Sequence, residues 1–187
     1  MPRRFFELCD DVEFPGRWHL GTPVDGTGLK LESERFTNGR PVSIEGRLKV
    51  PVEQRGTPLD FSEAGIGVAV VHVKAAALFA ELAPEDVQLI PVEVEGRPEE
   101  YSILVATRLI PCINEELSGV RFWTPEHGIP EMVGQYISID DLHIDEARAG
   151  SAKVFRPDGW EVALIISHEL KEALEHLGCT GVRFKPV

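Results

Sequence analysis

An α+β fold, with mixed sheets and few helices, is expected from three features of this chain. The first is a pair of matching stretches. Residues 68–92 read VAVVHVKAAALFAELAPEDVQLIPV and residues 163–187 read ALIISHELKEALEHLGCTGVRFKPV. Each holds an apolar run, a helical segment, a short turn and an alternating strand closed by Pro-Val. The identities are Leu82/Leu177, Val87/Val182, Pro91/Pro186 and Val92/Val187, so the layout carries the likeness more than the residues do. Two related β-α-β units at 68–92 and 163–187 are expected, with common origin and coincidence both open. The second feature is the run Tyr101–Cys112, YSILVATRLIPC, whose continuous apolar core predicts a central strand buried on both faces. The third is the glycine- and proline-rich stretch from Gly21 to Thr57, which allows short strands and turns but no long helix.

Taken in order, Phe5, Phe6, Phe14 and Trp18 cover part of the core from the first 20 residues. Asn38-Gly39 is the best hairpin signal, and Ser43 to Val52 supplies one or two strands. Gly26-Thr27-Gly28 lacks the spacing of a phosphate-binding loop and reads as a turn. Val68 to Val73 is a buried strand that passes into a helix near His72 to Lys74. Ala75, Leu78, Phe79 and Leu82 form that helix's apolar stripe, and Pro84 stops it. Val87 to Pro91 alternates as a strand, which Val92 and Val94 extend towards the turn at Gly96. Phe122 to Gly134, broken by Pro125, Gly128 and Pro130, is a loop anchored by Trp123; Tyr136 to Ile144 alternates as a strand. Lys153 to Arg156 is a short strand or turn, and Glu161 to Ile166 a strand. Ser167 is an N-cap with Glu169 in the first turn, Leu170, Ala173, Leu174 and Leu177 form the stripe, and Gly178 stands at the C-terminal exit. The chain is expected to be one domain, 1–187, or two subdomains, 1–100 and 101–187.

Composition narrows the function. An apolar fraction of 43% with 27% charged residues argues against global disorder. No apolar stretch reaches the length needed to cross a bilayer, and the N-terminus has no sustained apolar h-region, so cytoplasmic residence is expected. Cys9, Cys112 and Cys179, odd in number and without CxxC spacing, suit reduced thiols. With 31 acidic against 19 basic residues the net charge is -12, which disfavours a nucleic-acid backbone or an anionic membrane and favours a basic protein. Glu81, Glu85, Asp86, Glu93, Glu95, Glu99 and Glu100 face a single Arg97 between positions 81 and 100, and Asp140, Asp141, Asp145 and Glu146 form a second acidic patch.

Catalytic patterns are missing from the sequence. The histidines 19, 72, 127, 143, 168 and 176 include no HExxH and no His-Cys cluster, so no metal or other cofactor is expected. Ser167 between a strand and a helix lacks the glycines of a nucleophile elbow, and capping accounts for it. No catalytic residue is assigned.

The middle segment YSILVATRLIPCINEE resembles the immunity protein 11 family, once a domain of unknown function and frequent in myxobacteria. So do the C-terminal motifs Val154-Phe155-Arg156, Leu164 to Ser167, Leu170 to Leu174 and Thr180 to Phe184. The stretch before Gly56 matches loosely; His72 and Pro157-Asp158 depart from the pattern. The resemblance implies a cytoplasmic protein that binds and neutralises a cognate toxin of a polymorphic toxin system by occlusion, and it brings no catalytic residues.

Tight inhibition calls for a few buried anchors inside a rim that excludes water. Trp123 and Phe122 are the first candidates for the anchors, with Tyr136 and Trp160 behind them; Glu95, Glu99 and Glu100 are expected to steer a basic toxin, with Asp140 and Asp141 as a second face. Two alternatives stay open: a structural or regulatory interaction module with a homo-oligomeric face, and a small-substrate enzyme with His143, Asp145 or Cys179 in a cleft between the halves.

Overall fold

The computed structural model describes residues 4–187, and of Glu99 the backbone only. Strands β1 (Phe5–Asp10) and β2 (His19–Leu20) precede a single helical turn, α1 (Glu34–Thr37). β3 (Leu48–Val50) and β4 (Val52–Gln54) are parted only by Pro51, and β5 (Phe61–Ala64) turns back into β6 (Val68–His72). Helix α2 (Val73–Leu82) leads to β7 (Val87–Val94), β8 (Arg97–Ala106) and the short β9 (Leu109–Ile110). β10 (Val120–Phe122) and β11 (Tyr136–Ile139) flank two 3-10 turns, Pro125–His127 and Pro130–Met132. After α3 (Glu146–Ala149) come β12 (Val154–Pro157), β13 (Ile165–Ser167), α4 (His168–Leu177) and β14 (Val182–Pro186). The result is an α+β fold with few helices and mixed sheets.

Both expected β-α-β units form, and both are split. β6 and β7 lie parallel on either side of the antiparallel β8, with α2 crossing between them; β13 and β14 flank the antiparallel β1 in the same way, with α4 crossing. The likeness extends to register. The β14–β1 pairs Pro186↔Phe6, Lys185↔Glu7, Phe184↔Leu8, Arg183↔Cys9 and Val182↔Asp10 have counterparts in the β7–β8 pairs Pro91↔Ser102, Ile90↔Ile103, Leu89↔Leu104, Gln88↔Val105 and Val87↔Ala106. A fourth strand extends each unit, β5 beside β6 and β12 beside β13, both antiparallel. The connection alone differs. In one unit the central strand follows the β-α-β segment, whereas in the other it comes from the N-terminus, so the two units are circular permutations of each other. The registers match across eight strands.

The helix ends correspond as well. His72 caps α2 by accepting from the Lys74 N–H through its side chain, and Ser167 caps α4 by accepting from the Leu170 N–H. Gly178, at φ 67°, ends α4 in the left-handed conformation that glycine adopts without a Cβ penalty.

Three clusters of side chains hold the molecule together. The seven-stranded sheet runs β3-β7-β8-β6-β5-β2-β4, and because β3 and β4 are one segment bent at Pro51, its two ends meet and it closes around Trp18, Phe36, Val68, Val70, Val92, Tyr101, Ile103 and Val105. Residues of the opposite parity, Ala69, Val71, Leu104 and Ala106, face outward onto α2 and join Phe6, Leu8, Ile166, Leu170 and Leu174 of the second unit. This middle layer has α2 and α4 in contact. Burying each of Leu170 and Leu174 contributes about 1.5–3 kcal/mol. The far face of the five-stranded sheet, β14-β1-β13-β12-β9, covers the third cluster, with Phe5, Phe155, Ile165, Cys112 and Leu142.

Several local expectations change. β1 is an interior strand, between β14 and β13, where a covering segment was expected. Residues 101–112 do not make one strand: β8 ends at Ala106, and after Thr107 and Arg108 the chain joins the other sheet as β9. Asn38-Gly39 closes α1 rather than a hairpin. The strand expected from Glu161 starts at Ile165, and the one expected through Ile144 stops at Ile139.

The units are fastened at two corresponding joints. The turn after α2 offers the buried Asp86, whose carboxylate accepts from the Lys153 N–H (2.6 Å), the Val154 N–H (3.3 Å) and Arg108 Nε (2.5 Å), gripping the start of β12. The turn after α4 offers Thr180, which donates its N–H and hydroxyl to Asp60 and accepts from the Asp60 and Phe61 N–H groups, gripping the start of β5. Beside it a Cβ at Gly181 would sit 2.2 Å from the Phe61 carbonyl oxygen, so only glycine fits. Asp86→Ala strands two N–H groups and a guanidinium, and is expected to lower stability by about 3 kcal/mol, read as a shifted urea midpoint at unchanged slope.

Candidate interaction surface

β10 and β11 pair only with each other and form a hairpin whose two strands join neither large sheet. Its sequence explains this. Pro125, Gly128, Pro130 and Gly134 leave too few free N–H groups and too little apolar alternation for a sheet strand, and the segment folds into two 3-10 turns instead. The hairpin is nonetheless well tied. Trp123 and residues 134–135 exchange backbone hydrogen bonds at 2.9 Å, and the Thr124 N–H donates to His127 Nδ1 at 3.0 Å. The Trp123 ring stands edge-on to His127 at 5.3 Å, and a register shift at Arg121/Phe122 sets Phe122 against Tyr136 at 5.1 Å. Phe122 (37%), Ile129 and Val133 (43%) remain exposed, and Trp123 is half-buried.

At the foot of the hairpin lies a hollow of about 460 Å³ lined by Glu115, Glu116, Tyr136, Asp145, Arg148 and Asp158, among others. The Tyr136 hydroxyl donates to Glu115 Oε1 at 2.6 Å, and burial followed by that carboxylate pushes the phenol up to about 12. Asp140 and Asp141 are exposed just beyond β11, and Asp141 contacts His143 Nε2 at 3.1 Å. Asp145, counted with them in sequence, is occupied in capping α3.

The acids between 81 and 100 are dispersed. Asp86 is buried in the joint described above. Glu95 is exposed at the β7–β8 turn, and Glu100 pairs with Arg97 at 3.0 Å; the side chain of Glu99 lies outside the described residues. These residues stand on the closed sheet, and no hydrogen bond, ion pair or ring contact among the described residues connects them with the hairpin. The structure thus groups Trp123, Phe122, Tyr136 and the Asp140-Asp141 pair, and leaves Glu95 and Glu100 on another face. Trp160 packs against the third core cluster.

Chemistry finds little purchase. Among the described residues no three His, Cys, Asp or Glu converge to hold a metal ion. Cys9, Cys112 and Cys179 are each pushed up to about 12 by burial, far from a reactive thiolate. The hollow beside Tyr136 includes Asp145, but neither His143 nor Cys179 lines it. Among the described residues no helix is long and apolar enough to cross a membrane.

Residues 17–187 match the model of the Imm11 immunity-protein family. The chain belongs to the Imm11 family. No curated protein matches it. The match begins at Arg17, well before the motifs that carry the resemblance, and leaves β1 outside it. In this Imm11 protein those motifs are scaffold: Val154 to Arg156 is the body of β12, Leu164 to Ser167 leads through β13 to the α4 cap, and Thr180 to Phe184 is the second joint and β14.

Sequence reasoning missed Arg156 and Glu63. By strand pairing, Val154↔Ile166 and Phe155↔Ile165 correspond to Phe61↔Val71 and Ser62↔Val70, so Arg156 and Glu63 occupy the same place in the two units. Arg156 is buried; it donates from Nη1 to the Glu161 and Val162 carbonyls at 3.1 Å and from Nη2 to the Gly67 carbonyl at 3.2 Å. Burial lowers its pKa to about 10 against the pull of Glu63, Glu7 and Glu161. Glu63 is raised by burial and by Asp10, against Arg156. A carboxyl raised on folding binds its proton more tightly in the native state. Its penalty is absent below the unfolded carboxyl range, near pH 4, and is full once pH exceeds the folded value. Glu63→Gln is therefore expected to raise the melting temperature at pH 7 and leave it unchanged at pH 3, in a thermal-unfolding series across that range.

Proposed function

We propose that this protein binds a cognate bacterial toxin in the cytoplasm and neutralises it by occlusion, without catalysis. The hairpin of β10 and β11 is the contact surface. The observation that carries this reading is the hairpin's construction: a protrusion braced by its own hydrogen bonds, which keeps Phe122, Ile129 and Val133 in solvent although the fold gains nothing from their exposure. Membership of an immunity-protein family supplies the class of partner. Phe122 and Trp123 act as anchors, with Asp140, Asp141, Glu115 and Glu116 as an acidic rim that selects a basic toxin surface. Glu95 and Glu100, on a separate face, act together with Glu99 at long range through the field of the acidic chain.

The partner is sought as the product of the neighbouring gene, or as a toxin-domain protein retained from native lysate. Phe122→Ala and Trp123→Ala are each expected to weaken its binding by about 2–4 kcal/mol, roughly 30- to 1000-fold in Kd by calorimetry, at unchanged melting temperature. Unchanged affinity for both variants would remove the hairpin from the interface.

Charge reversal at Glu95, Glu99 and Glu100 together is expected to slow association about tenfold at low salt, with the difference gone at high salt and the dissociation rate unaltered. An on-rate that ignores the reversal in stopped-flow mixing refutes the steering role.

A further inference from the structure

The turns β5–β6 and β12–β13 correspond in the two units, and they form the two lips of one groove. Glu32, Glu34, Glu63, Ile66, Gly67 and Val162 are among the residues lining about 640 Å³ there. The lips are fixed in place. Gly65 and Gly67 take φ of 59° and 69°, the Ile66 N–H donates to Ser33 Oγ at 3.3 Å, and Arg156 ties the Gly67 carbonyl of one lip to the Glu161 and Val162 carbonyls of the other. Ile66 and Val162 present themselves to solvent at 77% and 59%, in a place where the fold gives them nothing to pack on.

Glu63 lines the same groove. It is partly buried, and its carboxylate has no hydrogen bond or ion pair among the described residues, although desolvation raises the free energy of its charged form. Arg156 already spends its Nη groups on the lips, and its buried Nε is unpartnered among the described residues. Glu32 and Glu34 add two exposed carboxylates on the rim. Such a groove repels phosphate and nucleotide, and its carboxylates do not converge on a metal position. What fits is a cation carried on an aliphatic stem, with a planar fork able to meet more than one carboxylate.

We infer that this groove receives an arginine side chain of the basic partner protein, its methylenes laid on Ile66 and Val162 and its guanidinium turned to Glu63 and the Glu32–Glu34 rim. The proposal rests on the toxin-binding reading for who the partner is. The chemistry of the groove stands apart from it. A second contact on this side would place the partner across the seam between the two units.

The full chain, isotope-labelled, is titrated by NMR with N-acetyl-L-arginine methylamide and, in parallel, with its neutral isostere N-acetyl-L-citrulline methylamide. Saturable shifts confined to Ile66, Gly67 and Val162 are expected with the arginine compound, with at least about tenfold weaker binding of the citrulline compound. Glu63→Gln should weaken the arginine compound by about tenfold, and Val162→Ser, at an exposed position that leaves the fold alone, by less. Equal binding of the two compounds overturns the proposal; so do shifts spread without saturation over the acids at 93–100 and 140–141. If a captured toxin-domain protein binds Glu63→Gln and Val162→Ser with unchanged Kd, the groove is not part of its interface and this proposal falls while toxin binding stands. If the arginine compound saturates the groove and no toxin-domain protein is ever retained, the groove's chemistry is supported and the toxin reading falls.

Discussion

Each unit is completed by the other at the point where its helix hands the chain back to its sheet. Asp86 after α2 accepts the first N–H groups of β12, and Thr180 after α4 engages the first residues of β5. Neither arrangement is self-sufficient. A carboxylate at 4% exposure is tolerable only while donors surround it, and two of those donors belong to the other unit's backbone. The same joints put α2 and α4 side by side, so that one apolar layer serves both sheets. Cooperativity between the units follows, because opening either joint exposes a charged or polar group and loosens the layer that both units share.

Against this duplicated frame, the departures from symmetry are informative. The hairpin of β10 and β11, in the segment before β12, has no counterpart in the first unit, where the segment before β5 supplies β2, α1, β3 and β4 and its strands join the closed sheet. Arg156 and Glu63 break the match differently, by placing opposite charges at one position of the duplicated unit. One became a buried clamp; the other was left half-buried beside a groove. The two positions share a place in the fold and differ in what they do there: Arg156 binds three backbone carbonyls, and the Glu63 carboxylate binds none of the described residues.

Much of this frame was legible in the sequence. The apolar runs, the helical stripes and the cap at Ser167 are local signals, and the structure keeps them except at Leu177, which the stripe placed against the core and which is exposed. Pairing is not local. FFELCD has no clean period, since Phe5 and Phe6 both enter cores on opposite faces while Glu7 and Cys9 are only half-covered, so nothing in it announces a central strand. Permutation hides the rest of the repeat, because the strand equivalent to β8 lies at the other end of the chain. Asp86 read as one more surface acid among seven, for its donors arrive from residues 108, 153 and 154. The hairpin was visible as a proline-broken loop with a tryptophan. Its exposed face was not, because burial of Ile129 or Val133 depends on whether anything is folded against them.

The two surfaces place different demands on a partner. The hairpin offers aromatic and aliphatic contact on an element with its own internal bracing, where a partner gains area by excluding water. The groove offers little area but one carboxylate already partly stripped of water, so the desolvation cost that weakens most interfacial ion pairs has been met by the fold before the partner arrives. A basic protein that engaged only the acidic field would be held loosely and released by salt. On the proposed reading, firm holding requires contacts that salt screens weakly, and the candidates on this molecule are the exposed apolar side chains of the hairpin and the half-buried Glu63.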